Sequence, residues 1–427
     1  MCETLKVFGT VFTAPEKNHL EFDQLQKSIP PKFIVYADFE AILKHPDDDM
    51  PTSVLQVHMP IAAGALLVDP YGGSQYKDFY GEDCVIEFMK HLEILSKQVY
   101  QWYQDNAHEP MRDLCEIEEE EHAMARHCYL CKKRFSNRKK GRKVRDHDHF
   151  TGYYIGAACN ACNLARRIPK KPVLPVVFHN FRGYDAHHML KHAANRFPNW
   201  EFSCIAQSSE KFQSVTAYVG KKSLPIRFID SLQFLCSSLQ NLSAMLQPDQ
   251  KQFINGLQNE LPDEARSGKG IFPYSFITSR EVLDQLRDDL PPREEAFYDM
   301  LSDSVSVTEV DFERAQSVWQ RCGCTSLKDY MLIYLKVDVY LLADVFQTFK
   351  KTAMHEDNLD PANVFGIPGL SWCAALRSMT RELQLLKDLD MYAFFETGIR
   401  GGMTFVNRHR AVRDESTQLL YIDINNL

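Results

Sequence analysis

No apolar run in this 427-residue chain approaches the roughly 20 residues needed to span a bilayer. Nor does the N-terminus show a basic stretch followed by an apolar one. Membrane insertion and secretion are therefore unsupported, no membrane partner is expected, and a nuclear or cytoplasmic location is. Positive charge is not in excess either: 49 Lys and Arg against 57 Asp and Glu leave a net charge of −8. Bulk charge thus gives no footprint of nucleic-acid binding, although local basic patches can act without it. Twelve cysteines with no export signal argue for reduced thiols, some of them metal ligands. The apolar fraction of 44% and charged fraction of 25% are ordinary for a globular chain, whose length suits two or three domains with ample core.

The chain is organised around Lys32-Phe33-Ile34-Val35-Tyr36-Ala37-Asp38-Phe39-Glu40. An unbroken apolar run followed by two carboxylates predicts a central strand, buried on both faces, with chemistry at its end. Residues two apart share a side, so Asp38 and Glu40 are expected roughly 7 Å apart facing one space, with Phe39 turned into the core. Crowded carboxylates repel unless a cation lies between them, which favours a metal site. Two later stretches carry the same chemistry. Pro175 to Phe178 is an apolar strand, followed by His179-Asn180-Phe181-Arg182-Gly183-Tyr184-Asp185, where a turn at Gly183 leads into a helical run. Tyr334 and Asp338 lie four apart in an amphipathic segment reaching about Lys350, so they share a helix face.

D-x-E, N-x-x-x-Y-D and Y-x-x-x-D in this order resemble the three exonuclease motifs of family B DNA polymerases. The resemblance implies a 3′→5′ exonuclease of RNase H-like α/β fold. In it Asp38, Glu40, Asp185 and Asp338 would hold two Mg²⁺ (or Mn²⁺) ions roughly 4 Å apart. Tyr334 would orient the attacking water, and Asn180 and Tyr184 would contact a frayed single-stranded 3′ end, Tyr184 by its ring. Related enzymes often carry Thr where Ala41 stands, so a weaker grip on the primer is expected here. Ile226-Arg227-Phe228-Ile229-Asp230 reads as a further strand, and the Ser231-Leu232 pair after it resembles a single-strand and terminal-protein contact of protein-primed polymerases.

Between the first two motifs stand two C-x-x-C knuckles, Cys128/Cys131 and Cys159/Cys162, with 27 residues between the pairs. Four thiolates in two tight pairs suit tetrahedral zinc. Asp146-His147-Asp148-His149 lies between them and Asn163 follows the last cysteine. This block, about residues 126–167, resembles the phage recombination endonuclease VII group of treble-clef nucleases. By that resemblance Asp146 and Asn163 would hold a divalent ion, with His147 as general base. A structural zinc module that contacts DNA is preferred over an active endonuclease. Nine cations in the 14 residues 132–145, among them Lys139, Lys140, Arg142 and Lys143, would neutralise phosphates without reading sequence. The acidic run Glu116–Glu121 reads as a solvated helix face.

Near the end, Gly398-Ile399-Arg400-Gly401-Gly402 resembles the Y-x-G-G linker between exonuclease and polymerisation domains, with Ile399 in place of its tyrosine. Asp423, after a short apolar strand, resembles a metal-binding carboxylate of the polymerase palm. Synthesis, and dNTP binding, are expected only of a longer form. The chain as a whole resembles the N-terminal part of a protein-primed family B DNA polymerase of the Maverick/Polinton or viral kind. The implied divisions are a leader (1–31), an exonuclease domain in two parts (32–112 and 171–350), the zinc insert (113–170), a linker (351–412) and the start of a palm (413–427). The expected partners are a single-stranded 3′ end or primer-template DNA and a terminal protein. Competing readings are an endonuclease working through Asp146, His147 and Asn163, and a non-catalytic DNA-binding relic of a mobile element. Four intact carboxylates argue against the relic.

Overall fold

The apolar run at 33–37 lies at the start of an eleven-residue strand, β1 (Ile34–Lys44), third in a seven-stranded sheet. The computed structural model describes residues 18–44, 56–106, 109–166, 172–206, 212–299, 304–305, 307–379 and 383–399. Gly401, Gly402 and Asp423 lie outside the described residues, as does the strand expected around Asp423. Two compact units are defined, Phe22–Met379 and a smaller one of Met1–Glu21 with Thr380–Leu427.

In the larger unit β1 is followed by β2 (Val57–Val68) and β3 (Ser74–Tyr80), then helix α1 (Cys84–Asn106). An insert carries α2 (Glu116–Met124), β4 (Lys143–His147), β5 (Tyr154–Cys159) and α3 (Asn160–Ala165). The sheet resumes with β6 (Leu174–Phe178), α4 (Asp185–Arg196), β7 (Glu201–Ala206), β8 (Phe212–Tyr218) and β9 (Ile226–Asp230). Short helices lead to α5 (Glu309–Arg321), α6 (Leu327–Asp357) and α7 (Ile367–Ser378). The sheet order is β3-β2-β1-β6-β9-β8-β7. β1, β6 and β9 run parallel, and the outer strands are antiparallel to their inner neighbours.

Alternation along β1 splits its side chains between two cores. Phe33, Val35, Ala37 and Phe39 pack with α1, α4 and Phe178 on one face, while Ile34 and Tyr36 pack with α6 on the other. The even positions therefore point Asp38 and Glu40 at α6, and Phe39 is turned into the core as expected. Helix α6 opens at Ser326, whose Oγ accepts from Asp329 N at 3.2 Å, and ends at Asn358 in the left-handed region (φ 51°). Its apolar side lies close on the sheet at Gly64, the residue opposite Asp38. A Cβ on Gly64 would stand 3.2 Å from both Leu335 Cγ and Val339 Cγ2, so a glycine sets the depth at which the helix docks.

The insert has its own small core of Cys128, Leu130 and Ala158, packed with Leu25. It is tied to the sheet unit by Phe150 stacked on Trp102 (5.5 Å) and by Lys32 paired with Asp148 (3.0 Å). The glutamates of α2 are unburied, as a solvated face requires. Among the described residues, no helix is long and apolar enough to cross a membrane. In the smaller unit, His19–Leu20 pairs antiparallel with Leu383–Gln384, and a helix Leu389–Gly398 is capped by Asp388.

Candidate active site and metal centre

Asp38 and Glu40 leave β1 on the side where α6 brings Asp338, and carboxylate oxygens of the three lie within 4.8 Å of one another. Glu40 and Asp338 are buried, and so is Asp185 at the start of α4, at 1% exposure. Such crowding disfavours the charged forms. Burial, then Asp338, pushes the Asp38 carboxyl up to about 7. Burial, then Asp38 and Asp338, raises Glu40 well above the ordinary range, and burial followed by Asp38 does the same for Asp185. Asp185 Oδ1 and Asp338 Oδ1 are buried without a hydrogen-bond partner. Two orphaned carboxylate oxygens facing like charges are what a divalent cation would satisfy, so the donor set fits Mg²⁺ or Mn²⁺.

Two groups from the irregular chain between β9 and α5, Lys269 and Tyr274, complete the cluster. Lys269 Nζ pairs with Asp338 Oδ2 and lies 4.8 Å over the ring of Tyr334. Tyr274 donates from Oη to Glu40 Oε2 at 2.7 Å. The loop carrying Lys269 is held by Arg314, whose Nη2 donates to the Lys269 carbonyl at 2.6 Å. Tyr334 is buried one helical turn before Asp338, in line with their shared face. A lysine between two glycines, with a tyrosine five residues later, has no periodicity to announce it. Only the folded chain brings it to β1 and α6.

Tyr184 sits at the mouth of this cluster, its Oη 3.0 Å from His58 Nδ1. With Glu40, Ala41 and Tyr274 it lines a cleft of about 300 Å³. The turn carrying Asn180 is organised by Asp230, which the sequence reading placed on a strand without a role. Asp230 accepts from the backbone N–H of Asn180 (2.9 Å), Arg182 (3.2 Å) and Leu232 (3.0 Å). Asn180 takes the left-handed conformation (φ 73°) and its side chain is exposed. Ser231 departs from the expected strand contact. Its side chain is fully buried and donates to the Phe178 carbonyl at 2.9 Å, beside His179 Nδ1 at 2.9 Å. The hydroxyl fastens β6 to β9 instead of facing a cleft, because the residue after Asp230 points back between the two parallel strands.

The four knuckle cysteines bring their sulfurs within 4.8 Å of one another, with Cys131 Sγ and Cys159 Sγ at 3.9 Å. Tetrahedral Zn–S bonds of about 2.3 Å place sulfurs about 3.8 Å apart, so the set fits zinc. Hydrogen bonds from Cys131 and then Cys162 draw the Cys128 thiol far down, while Cys131 is pushed up to about 11 chiefly by that bond. Asp146 behaves otherwise. It is 2% exposed, accepts from Tyr129 Oη at 2.6 Å, and pairs through the same oxygen with Arg166 Nη1 at 3.4 Å. A guanidinium already answers its charge, so Asp146 as arranged does not fit a divalent ion. His147 packs against the His149 ring (4.6 Å), and Asn163 is half-buried on α3. Of the basic run, Lys139, Lys140 and Arg142 are exposed, but Lys143 is not free for phosphate. Its ammonium donates to the carbonyls of His122, Ala123 and Ala125 at 2.6, 3.1 and 3.2 Å, closing the C-terminal end of α2.

Comparison with known proteins gives two family matches. Residues 167–427 match the family model described as DNA polymerase type B, organellar and viral, and residues 100–174 match that of recombination endonuclease VII. The first match spans more than half of the sequence: the chain belongs to the type B DNA polymerases of organellar and viral kind. Among solved structures it is similar to Phi29 DNA polymerase complexed with single-stranded DNA, at 13% identity and a TM-score of 0.31. It is likewise similar to the Phi29 ternary complex with primer-template DNA and incoming nucleotides, at 12% identity and 0.29. Each likeness covers 76% of this chain and 32% of the polymerase, so the chain spans about a third of the length of those structures. No curated protein matches the sequence.

Proposed function

We propose that this chain carries the 3′→5′ proofreading exonuclease of a protein-primed type B DNA polymerase, on an RNase H-like fold. The observation that carries this reading is the convergence of Asp38, Glu40 and Asp338 within 4.8 Å, with Asp185 buried against the same charges. These four would hold two Mg²⁺ ions. When bound, the ions supply an activated water and stabilise the leaving 3′ oxygen. The protein's own groups do the positioning. Asp230 fixes the turn that presents Asn180 and Tyr184 to the last nucleotide, and the ring of Tyr184 offers a stacking face. Tyr274 holds Glu40 in one rotamer, and Tyr334 with Lys269 holds Asp338. Lys269 also puts a cation where a phosphodiester would approach the acids.

For the insert we favour a zinc module that contacts DNA through Lys139, Lys140 and Arg142. The family match keeps the endonuclease reading in play, but the Asp146–Arg166 pair argues against cutting. Single-stranded and primer-template DNA are the partners of this reading. A terminal protein and dNTPs would be partners of the polymerisation activity of the Maverick/Polinton or viral type. The test is digestion of end-labelled single-stranded DNA with Mg²⁺. The strand should shorten from its 3′ end, and Asp38→Ala or Asp185→Ala should reduce the rate by several orders of magnitude without unfolding. Equal rates in wild type and Asp38→Ala would overturn the assignment.

A further inference from the structure

A cavity of about 790 Å³ in the larger unit is separate from the acidic cluster. It lies along β9 and is closed by the segment 24–31, by Phe150 of the insert and by the start of α7. Its size suits a small ligand or one unit of a polymer. Its chemistry narrows the choice. In a chain of net charge −8, no Asp or Glu among the described residues lines it, while Lys27 (its ammonium 3.3 Å from Cys373 Sγ), Arg182 and Arg227 do. Arg182 is answered by Asp230 at 3.8 Å, whereas Arg227 shows no carboxylate partner among the described residues. The Arg227 Nε is buried without a hydrogen bond, and the guanidinium lies 5.4 Å over the ring of Phe365. Arg227 is half-buried, and a buried Nε–H with no acceptor in the protein is a donor that an anion could complete.

Beside it, α7 begins at Gly366 with no side-chain cap, and Gly366, Ile367 and Gly369 line the cavity; Pro368 has no N–H, so Ile367 and Gly369 are the first-turn donors left uncapped. The remaining wall is apolar and amide: Ile29, Pro30 and Val364 with Gln24, Gln26 and Gln213. Cation and N–H donors at one place, an aromatic ring and flat apolar walls beside them, and amides around them suit phosphate and base together. We propose that this cavity binds a nucleotide unit of single-stranded DNA. Arg227, Lys27 and the start of α7 hold its phosphate, and the wall of Phe365, Ile29 and Pro30 takes its base. Arg182 and Leu232, which line the cavity, flank the turns around Asn180 and Asp230. The strand would thus be held next to the site where its end is trimmed. Only this last point rests on the exonuclease reading.

Binding measured without hydrolysis tests the proposal by itself. The full chain carrying Asp38→Ala, loaded with zinc and free of Mg²⁺, is titrated against fluorescent oligo(dT) of ten nucleotides and, separately, against free dTTP. Arg227→Gln and Lys27→Gln should each weaken oligonucleotide binding about tenfold and lower the salt slope by about one, with melting temperatures kept. Oligonucleotides bearing 5-iodouracil should crosslink to the peptide containing Phe365. Unchanged affinity in both variants, or crosslinks confined to other peptides, would overturn the proposal. Tight dTTP binding that depends on Arg227 while oligonucleotide binding does not would overturn the strand as its source. Loss of exonuclease activity with intact Arg227-dependent binding would count against the nuclease reading alone.

Discussion

Lys269 and Asp338 form an ion pair that joins a covering loop to the long helix α6, and the ammonium of Lys269 also lies 4.8 Å over Tyr334. The pair puts a cation against a carboxylate that also faces Asp38 and Glu40. Lys269→Gln should therefore lower the exonuclease rate on the order of 100-fold. It should also leave the acids less neutralised, so that added Mg²⁺ raises the melting temperature more than in wild type. Unaltered kinetics with an unaltered metal response would show that the pair is only a fastening of the loop.

The raised carboxyl of Asp38 makes a signed prediction about pH. Its ordinary value is 3.8 and its folded value about 7, from burial and Asp338. Between these values the folded chain holds more protons than the unfolded one, so the metal-free protein should lose stability as pH rises through that window. Mg²⁺ should restore several degrees of melting temperature at pH 8 and little at pH 5. Asp38→Asn should flatten the pH dependence. Activity at a fixed low Mg²⁺ concentration should fall as pH drops, and added Mg²⁺ should move that fall to lower pH, since protons and ions compete for the same carboxyls. A melting temperature independent of both pH and Mg²⁺ would contradict this electrostatic picture.

Gly64 sets the distance between sheet and α6. A Cβ there would meet Leu335 and Val339 at 3.2 Å and Tyr76 Oη at 2.9 Å. Gly64→Ala should cost about 1–3 kcal/mol by overpacking. Since α6 carries Asp338, activity should fall further than the stability loss explains, as denaturant melts and single-turnover rates can show. Gly64→Ala with wild-type turnover would mean that the helix does not need this depth.

One zinc should bind per chain through Cys128, Cys131, Cys159 and Cys162. Structural zinc in small modules is worth about 10–16 kcal/mol, beyond what a core of the insert's size supplies. Its removal should raise hydrogen exchange across residues 126–166 and leave β1, β6 and β9 protected. Metal analysis of reduced protein finding no zinc would refute this.

In Asp38→Ala protein, plasmid nicking should be absent if Arg166 neutralises Asp146 as a structural partner. Nicking that disappears with His147→Ala would instead establish an active insert.

Local chemistry was legible in the order of residues. A continuously apolar run ending in Asp38 and Glu40 specifies a central strand because burial on both faces removes alternation. Tyr334 and Asp338 share a face because four residues make just over one helical turn. Two C-x-x-C pairs state their ligand set by spacing alone. What only the tertiary structure decided were contacts between segments far apart in sequence. Lys269 and Tyr274 lie in irregular chain with no period, and it is the docking of α6 at Gly64 that brings the acids to them. Ser231 and Lys143 read as outward contacts, yet the fold turns one into the β6–β9 seam and the other onto the carbonyls of α2. Asp146 carries the letters of a metal ligand, but whether a carboxylate meets an ion or an arginine depends on where residue 166 returns, and spacing does not encode that.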